Sequence, residues 1–360
     1  MRHVPGLPPS LCSIYSFLLP VSTSYQHHDP SLESQWRAII LFGKNSATYK
    51  FAFAQALLEL VEAGTTTITL PDLAEPFSRH LVRHLQQHDK QGNASSSKFL
   101  TACRRFLAQE LSQAELLVQT EKLGFVNVVD AFQVVNSGVI PRPFYEKHLV
   151  NGKPQLTITD ELLQLKDSFH FQNFAREADA RWQLVETAWN LQLHPKLLEV
   201  QYDEAQGLFF LEHKLLRRVN ITSVREALNG YQKGKCFYSF QDISIRPGSP
   251  ELGQVDHFLP HLHKQAHLPA NINGVWNLVL ADRTINNSKN ARVPAQRFLQ
   301  RLYQRNEFFI ASQHPLAETI VNQTGMTPTQ RQQFLTYHYQ IALDYSLHQW
   351  VPDVELSAAF

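Results

Sequence analysis

The amino-acid sequence predicts an α+β protein: a mostly helical chain carrying a small strand-strand-helix module in its C-terminal half. From Leu32 onward, apolar residues recur at three- and four-residue steps over long stretches, the period of helices packed on a core. From Cys236 to Leu259 that period gives way to short strand-like runs on either side of the turn Arg246-Pro247-Gly248-Ser249-Pro250. The 360 residues are enough for two or more domains, and 43% hydrophobic with 18% charged residues is an ordinary globular composition that can form a substantial core.

Residues 1–31 read as a poorly ordered extension. The apolar stretch from Leu11 to Val21 is interrupted by Ser13, Ser16 and Pro20 and follows a weakly charged start, so it does not read as a signal peptide. The opening is compatible with lying upstream of the native start. Residues 32–230 are expected to form a mainly helical domain that sets substrate or partner. Ile39, Ile40, Phe51, Ala54, Leu57, Leu58 and Val61 are spaced for one or two helices across Trp36 to Leu60, with Gly64 as the stop. Leu81 to Leu85 and Phe99 to Leu117 continue the pattern around an exposed polar loop from Gly92 to Ser97. A long helical region follows from Asp160 to Leu193, where Trp182, Val185 and Trp189 form a stripe that reads as core and not as a base-stacking platform.

Leu197 to Leu211 reads as a hairpin turning at Glu204-Ala205-Gln206-Gly207, and Thr222 to Tyr231 as a helix leading into the module. The module is expected over residues 231–300. Its elements are a strand from Cys236 to Ile245, a second from Gln254 to Leu259, and a short helix from Asn286 to Arg292 ended by Pro294. Residues 301–360 are expected to add helices packed on the module, broken at His314-Pro315 and between Gly325 and Pro328. The sequence contains no internal repeat.

Within the module an ordered set of polar residues stands out. Asp256-His257 closes a short apolar run and is followed by Phe258-Leu259-Pro260; Asn277 opens Asn-Leu-Val-Leu; Asn286-Asn287-Ser288-Lys289 comes after that. An Asp-His pair taken alone reads as structural. In this order and spacing, over about 65 residues from Lys235 to roughly Leu299, the set resembles the catalytic core of the HNH (ββα-metal) nucleases. Many members of that family hold a structural zinc with two Cys-x-x-Cys pairs. Here the first pair is Cys236-Phe237-Tyr238-Ser239 and the second would fall at Asp282 and Ile285, so no structural zinc is expected. In this respect the core is similar to the zinc-free HNH domain of RNA-guided CRISPR effector nucleases, which the rest of the chain does not resemble.

The resemblance implies phosphodiester hydrolysis, which needs an activated water, a counter-charge for the pentacovalent phosphate and a stabilised leaving oxygen. A neutral imidazole with an unperturbed pKa of about 6.5 accepts a proton near neutrality, which assigns His257 as general base. A hard cation takes oxygen ligands, which assigns Asp256 and the Asn286 carbonyl to Mg2+, or to another divalent cation such as Mn2+. By resemblance Asn277 holds the loop beside the histidine as part of the catalytic set, and Lys289 contacts a phosphate. Successive strand residues face opposite sides, so Asp256 and His257 serve one phosphate only across the strand edge or at a bend. His261, His263 and His267 read as solvated loop histidines. Gly43-Lys44-Asn45-Ser46 lacks the upstream glycine of a phosphate-binding loop.

Charge is unevenly distributed. Tyr231 to Ile310 holds ten Lys/Arg and five Asp/Glu, while the remainder holds 23 and 27. Arg283, Lys289, Arg292, Arg297, Arg301 and Arg305 carry that excess, and Arg283 and Arg292 are expected to join Lys289 in neutralising phosphates. Cys12, Cys103 and Cys236 are too few and scattered for a disulfide framework and fit a reducing, cytoplasmic location. No run approaches the roughly 18 apolar residues of a membrane helix, so no membrane partner is expected. The expectation is a metal-dependent HNH endonuclease acting on DNA, with a role in prokaryotic defence or restriction and room for a protein partner such as an ATPase. The alternatives are a catalytically silent nucleic-acid-binding or assembly subunit on the same scaffold, and an RNase effector.

Overall fold

The computed structural model describes residues 30–42, 47–92, 96–135, 138–190, 200–212, 218–261, 271–312, 314–346 and 348–360. The fold is α+β. Most of the extension expected at residues 1–31, the polar-loop residues 93–95 and the segment 43–46 lie outside the described residues, as do Cys12, His263 and His267.

One hydrophobic core is built by the N-terminal half. Helices α1 (Leu32–Phe42), α2 (Tyr49–Glu62), α3 (Leu70–Leu85), α4 (Lys98–Leu107) and α5 (Gln113–Leu123) bury the apolar stripes expected of them. Thr69 and Asp72 form a capping box at the start of α3, each satisfying the other's exposed backbone N–H. The half is less purely helical than the sequence reading has it. Strands β1 (Thr67–Thr69), β2 (Tyr145–Val150) and β3 (Lys153–Ile158) form an antiparallel sheet with β3 in the centre. Asn151 and Gly152 join β2 to β3 with φ of 51° and 74°, the two-residue turn whose twist matches a hairpin. The expected helical region from 160 to 193 is two helices, α6 (Asp160–Lys166) and α7 (Phe171–Asn190).

Helix α7 belongs to both halves. Ala178, Trp182, Val185 and Trp189 pack in the first core, and Leu184 is buried in the second. The Glu177 carboxylate accepts from Arg37 of α1 at 2.8 and 2.9 Å and from the Asn229 amide at 2.8 Å, joining the two sides through a buried ionic group.

The second core starts before the expected module boundary at residue 231. Strands β4 (Gln201–Asp203), β5 (Leu208–Glu212) and β6 (Arg218–Ser223) form an antiparallel sheet, and helix α8 (Val224–Gln232) follows. Val200, Tyr202, Phe209, Val224 and Leu228 pack with the module and not with the helical half. Strand β7 (Gln254–His257) pairs antiparallel with β8 (Leu278–Ala281), with His257 opposite Leu278 and Asp256 opposite Val279. Helix α9 (Arg283–Lys289) follows, then β9 (Val293–Pro294), α10 (Gln296–Ala311), α11 (Ala317–Thr324), α12 (Pro328–Asp344) and β10 (Gln349–Trp350), which pairs parallel with β9.

Two expected elements are corrected. Residues 236–245 form a looped knuckle instead of a strand. Phe240 turns at φ 58°, its N–H donates to the Cys236 carbonyl at 3.0 Å, and the Cys236 N–H donates to the Gln241 carbonyl at 2.8 Å. The apolar side chains that suggested alternation, Phe237, Tyr238 and Ile243, are all buried around this loop, so the strand partner of β7 is the apolar run at 278–281. The module helix begins three residues early because Asp282 caps it, its Oδ1 accepting the N–H groups of Thr284 at 2.8 Å and Ile285 at 3.2 Å. It ends at Asn290, where φ is 50°.

Candidate functional site

Alternation along β7 sorts the polar residues onto two faces. Gln254 and Asp256 face α9. Asn286 and Lys289 are three apart on that helix and stand over them: the Asn286 amide donates to Gln254 Oε1 at 3.0 Å, and Lys289 Nζ donates to Asp256 Oδ1 at 3.1 Å. Lys289 also donates to the backbone carbonyl of His257 at 2.8 Å. From the knuckle, the Tyr238 hydroxyl donates to Asp256 Oδ2 at 2.6 Å. Burial pushes the Asp256 carboxyl up from its ordinary value, while Lys289 and Tyr238 act in the opposite direction. Burial, and then the Asp256 charge, holds the Tyr238 hydroxyl well above its ordinary value.

His257 takes its partners from other elements. Its Nε2 lies 3.0 Å from Asn273 Oδ1, and its ring centroid lies 4.0 Å from that of His261 and 5.9 Å from that of Tyr202. An amide oxygen only accepts, so the neutral imidazole carries its proton on Nε2 and its lone pair on Nδ1. Burial raises the Tyr202 hydroxyl to about 12, which keeps that neighbour neutral.

Asn277 is fully buried and ties the chain that leaves His257. Its Oδ1 accepts the Leu259 N–H at 2.8 Å, and its Nδ2 donates to the carbonyls of Leu259 at 2.9 Å and Ile272 at 3.0 Å. Arg305 and Asn306 of α10 donate to the Trp276 carbonyl at 3.0 and 3.2 Å, bracing the turn that presents Asn277.

The residues expected to meet at one cation are therefore divided. Asp256, Asn286 and Lys289 share one side of β7, whereas the His257 imidazole sits with Asn273, His261 and Tyr202. The oxygen donors are of the kind magnesium takes, but both Asp256 oxygens are engaged and the Asn286 amide is turned onto Gln254. In this arrangement the pair does not fit a shared hard cation, and an ion at Asp256 would have to displace the Lys289 ammonium.

The basic excess is also partly internal. Lys289 has no exposed surface and serves as the partner of Asp256 instead of a surface phosphate contact. Arg305 is 2% exposed, and burial lowers its guanidinium to about 9. Arg301 donates to the Phe237 and Tyr238 carbonyls at 2.5 and 3.2 Å, and with Arg297 it holds Glu355 at 2.6 and 2.8 Å. Arg283 and Arg292 are exposed on α9 and just beyond it.

Sequence reasoning missed four residues that surround the site. Tyr238 lies between Cys236 and Ser239, where a buried phenol has no sequence signature. Gln254 and Asn273 become visible only through their side-chain partners. Glu204 lies in the turn between β4 and β5, and nothing in the sequence links it to a histidine 53 positions later. One ligand atom from each of Glu204, His257 and His261 lies within 4.8 Å of the other two. Comparison with protein-family models, curated proteins and solved structures gives no match to this chain.

Proposed function

We propose that this protein is a phosphodiester hydrolase of the HNH type acting on DNA, with His257 accepting the proton of the attacking water. The observation that carries this reading is the joint placement of His257 and Asn277. The histidine ends a strand whose antiparallel partner leads into a capped helix, its proton is fixed on Nε2, and Asn277 holds the segment beside it. At 8% exposure His257 is largely withdrawn from bulk water, a setting in which a base and its proton donor interact more strongly. The exposed Arg283 and Arg292 suit a phosphate backbone on the helix side of the module. A role in prokaryotic defence or restriction follows from the HNH resemblance.

A second reading has an observation of its own. The Lys289–Asp256 ion pair closes the carboxylate that an HNH nuclease offers to its ion, which favours a catalytically silent nucleic-acid-binding or assembly subunit on the same scaffold. Incubating supercoiled plasmid and structured RNA with the purified chain in magnesium, manganese or nickel separates the readings. DNA nicking that is lost in a folded His257→Ala variant supports the nuclease. A DNA mobility shift with no cleavage in any of the three ions supports the silent subunit, and cleavage of RNA alone moves the activity to an RNase.

A further inference from the structure

We propose that Glu204, His257 and His261 form a binding site for a borderline divalent cation of the zinc type, separate from the oxygen-donor pair on the other side of β7. Two imidazoles and a carboxylate are the ligand set that such ions prefer, and three protein ligands leave a coordination position for water. The separations suit it. In a tetrahedral site with zinc-ligand bonds of about 2.0–2.1 Å, neighbouring donor atoms stand about 3.3 Å apart. His261 Nε2 already lies 3.5 Å from Glu204 Oε2, and all three donors fall within 4.8 Å of one another.

A simple ion pair does not account for the arrangement equally well. Neither ring nitrogen of His261 has a hydrogen-bond partner among the described residues, although both are shielded from solvent. Shielded ring nitrogens without a hydrogen bond are costly, and an ion shared with the carboxylate 3.5 Å from Nε2 would relieve one of them. His257 Nε2 lies 3.0 Å from Asn273 Oδ1, the kind of outer contact that orients a ligating histidine.

Glu204 is 60% exposed at the tip of the β4–β5 hairpin, His261 is 29% exposed with both ring nitrogens shielded, and His257 is 8% exposed. Gly207, at φ 66°, and the Asp203 side chain, which accepts the Gln206 N–H at 3.0 Å, shape the turn that carries Glu204. The proposal does not depend on the nuclease reading; an ion on His257 would take the one basic lone pair that the reading gives to the attacking water, so the two roles belong to different states of the site.

The test is titration of the metal-free 360-residue chain with Zn2+ by calorimetry and with Co2+ by visible absorption, which reports coordination geometry. One ion per chain is expected, with a tetrahedral cobalt spectrum. Glu204→Gln and His261→Ala should each weaken binding by at least about tenfold, and Asn273→Ala, which frees the ligand's orientation, by about 10–100-fold. Glu204 lies in an exposed turn, so its variant keeps the test valid if a histidine variant unfolds. Failure of the native chain to bind overturns the proposal, and so does native affinity in both Glu204→Gln and His261→Ala. Binding lost only when His263 and His267 are replaced by alanine places the ion elsewhere and also overturns it. Absence of DNA cleavage leaves this test intact, and absence of zinc binding leaves the nuclease reading intact.

Discussion

The Lys289 ammonium lies 2.8 Å from the backbone carbonyl oxygen of His257, so the helix that follows the ladder grips the strand at the histidine itself. The same ammonium balances Asp256 in a setting with almost no solvent. Removing it with Lys289→Met leaves a buried carboxylate without its counter-charge, a loss of about 3–5 kcal/mol in global stability. Chemical denaturation measures this. The double variant Asp256→Asn with Lys289→Met should recover part of the loss, because it removes both charges together.

Asn277→Ala is expected to leave the Leu259 N–H and two carbonyls without their side-chain partner. A buried polar group left unsatisfied costs about 1–3 kcal/mol, so the variant should melt earlier than the native protein. Hydrogen exchange locates the effect. The Leu259 amide should lose protection by a larger factor than amides of α2, and equal protection in the variant would show that Asn277 does not hold this segment.

His84 supplies a pH dependence in the other half. Its ring stacks on Trp182 at 3.6 Å, and its nitrogens lie 3.1 Å from Asp179 and 2.9 Å from Glu186. Burial disfavours its charge, but the two carboxylates outweigh burial and raise its pKa above the ordinary value. A raised value in the folded state gives stability that is fully present below the unfolded value of about 6.5 and is lost as pH rises through the folded one. The native protein's stability advantage over His84→Gln should therefore shrink on going from about pH 6 to about pH 8.5 in thermal melts. A constant difference would mean that the ring is not charged.

Arg283 is expected to contribute a phosphate contact if DNA lies along α9. Arg283→Ala should weaken binding to unrelated DNA sequences by similar factors and lower the slope of log affinity against log salt by about 1. Arg305→Lys should change stability more than that slope, since Arg305 points inward to the Val275 and Trp276 carbonyls. Mobility shifts across a salt series compare the two.

The residues differ in how far the sequence revealed their roles. The helices of the N-terminal half were legible because their apolar period is long, whereas for Asn277 the bonds to Leu259 and Ile272 have no local sequence signal of their own. The strand assigned to 236–245 failed because three buried aromatic or aliphatic side chains in a loop mimic alternation. The Asn151-Gly152 hairpin carried a local signal that the surrounding helical pattern obscured. The basic stripe misled in a different way. Charge can be counted from sequence, but whether Lys289, Arg301 or Arg305 points to solvent depends on partners far along the chain. The side-chain grouping of Glu204 with His257 depends on how a hairpin tip folds over the ladder, which local patterning does not encode.

Helix α7 presents Trp182 to one core and Leu184, two positions on, to the other. One helix is therefore gripped from both sides. Truncation after residue 190 would strand Leu184 in water, so fragments of either half should be insoluble or molten when produced alone.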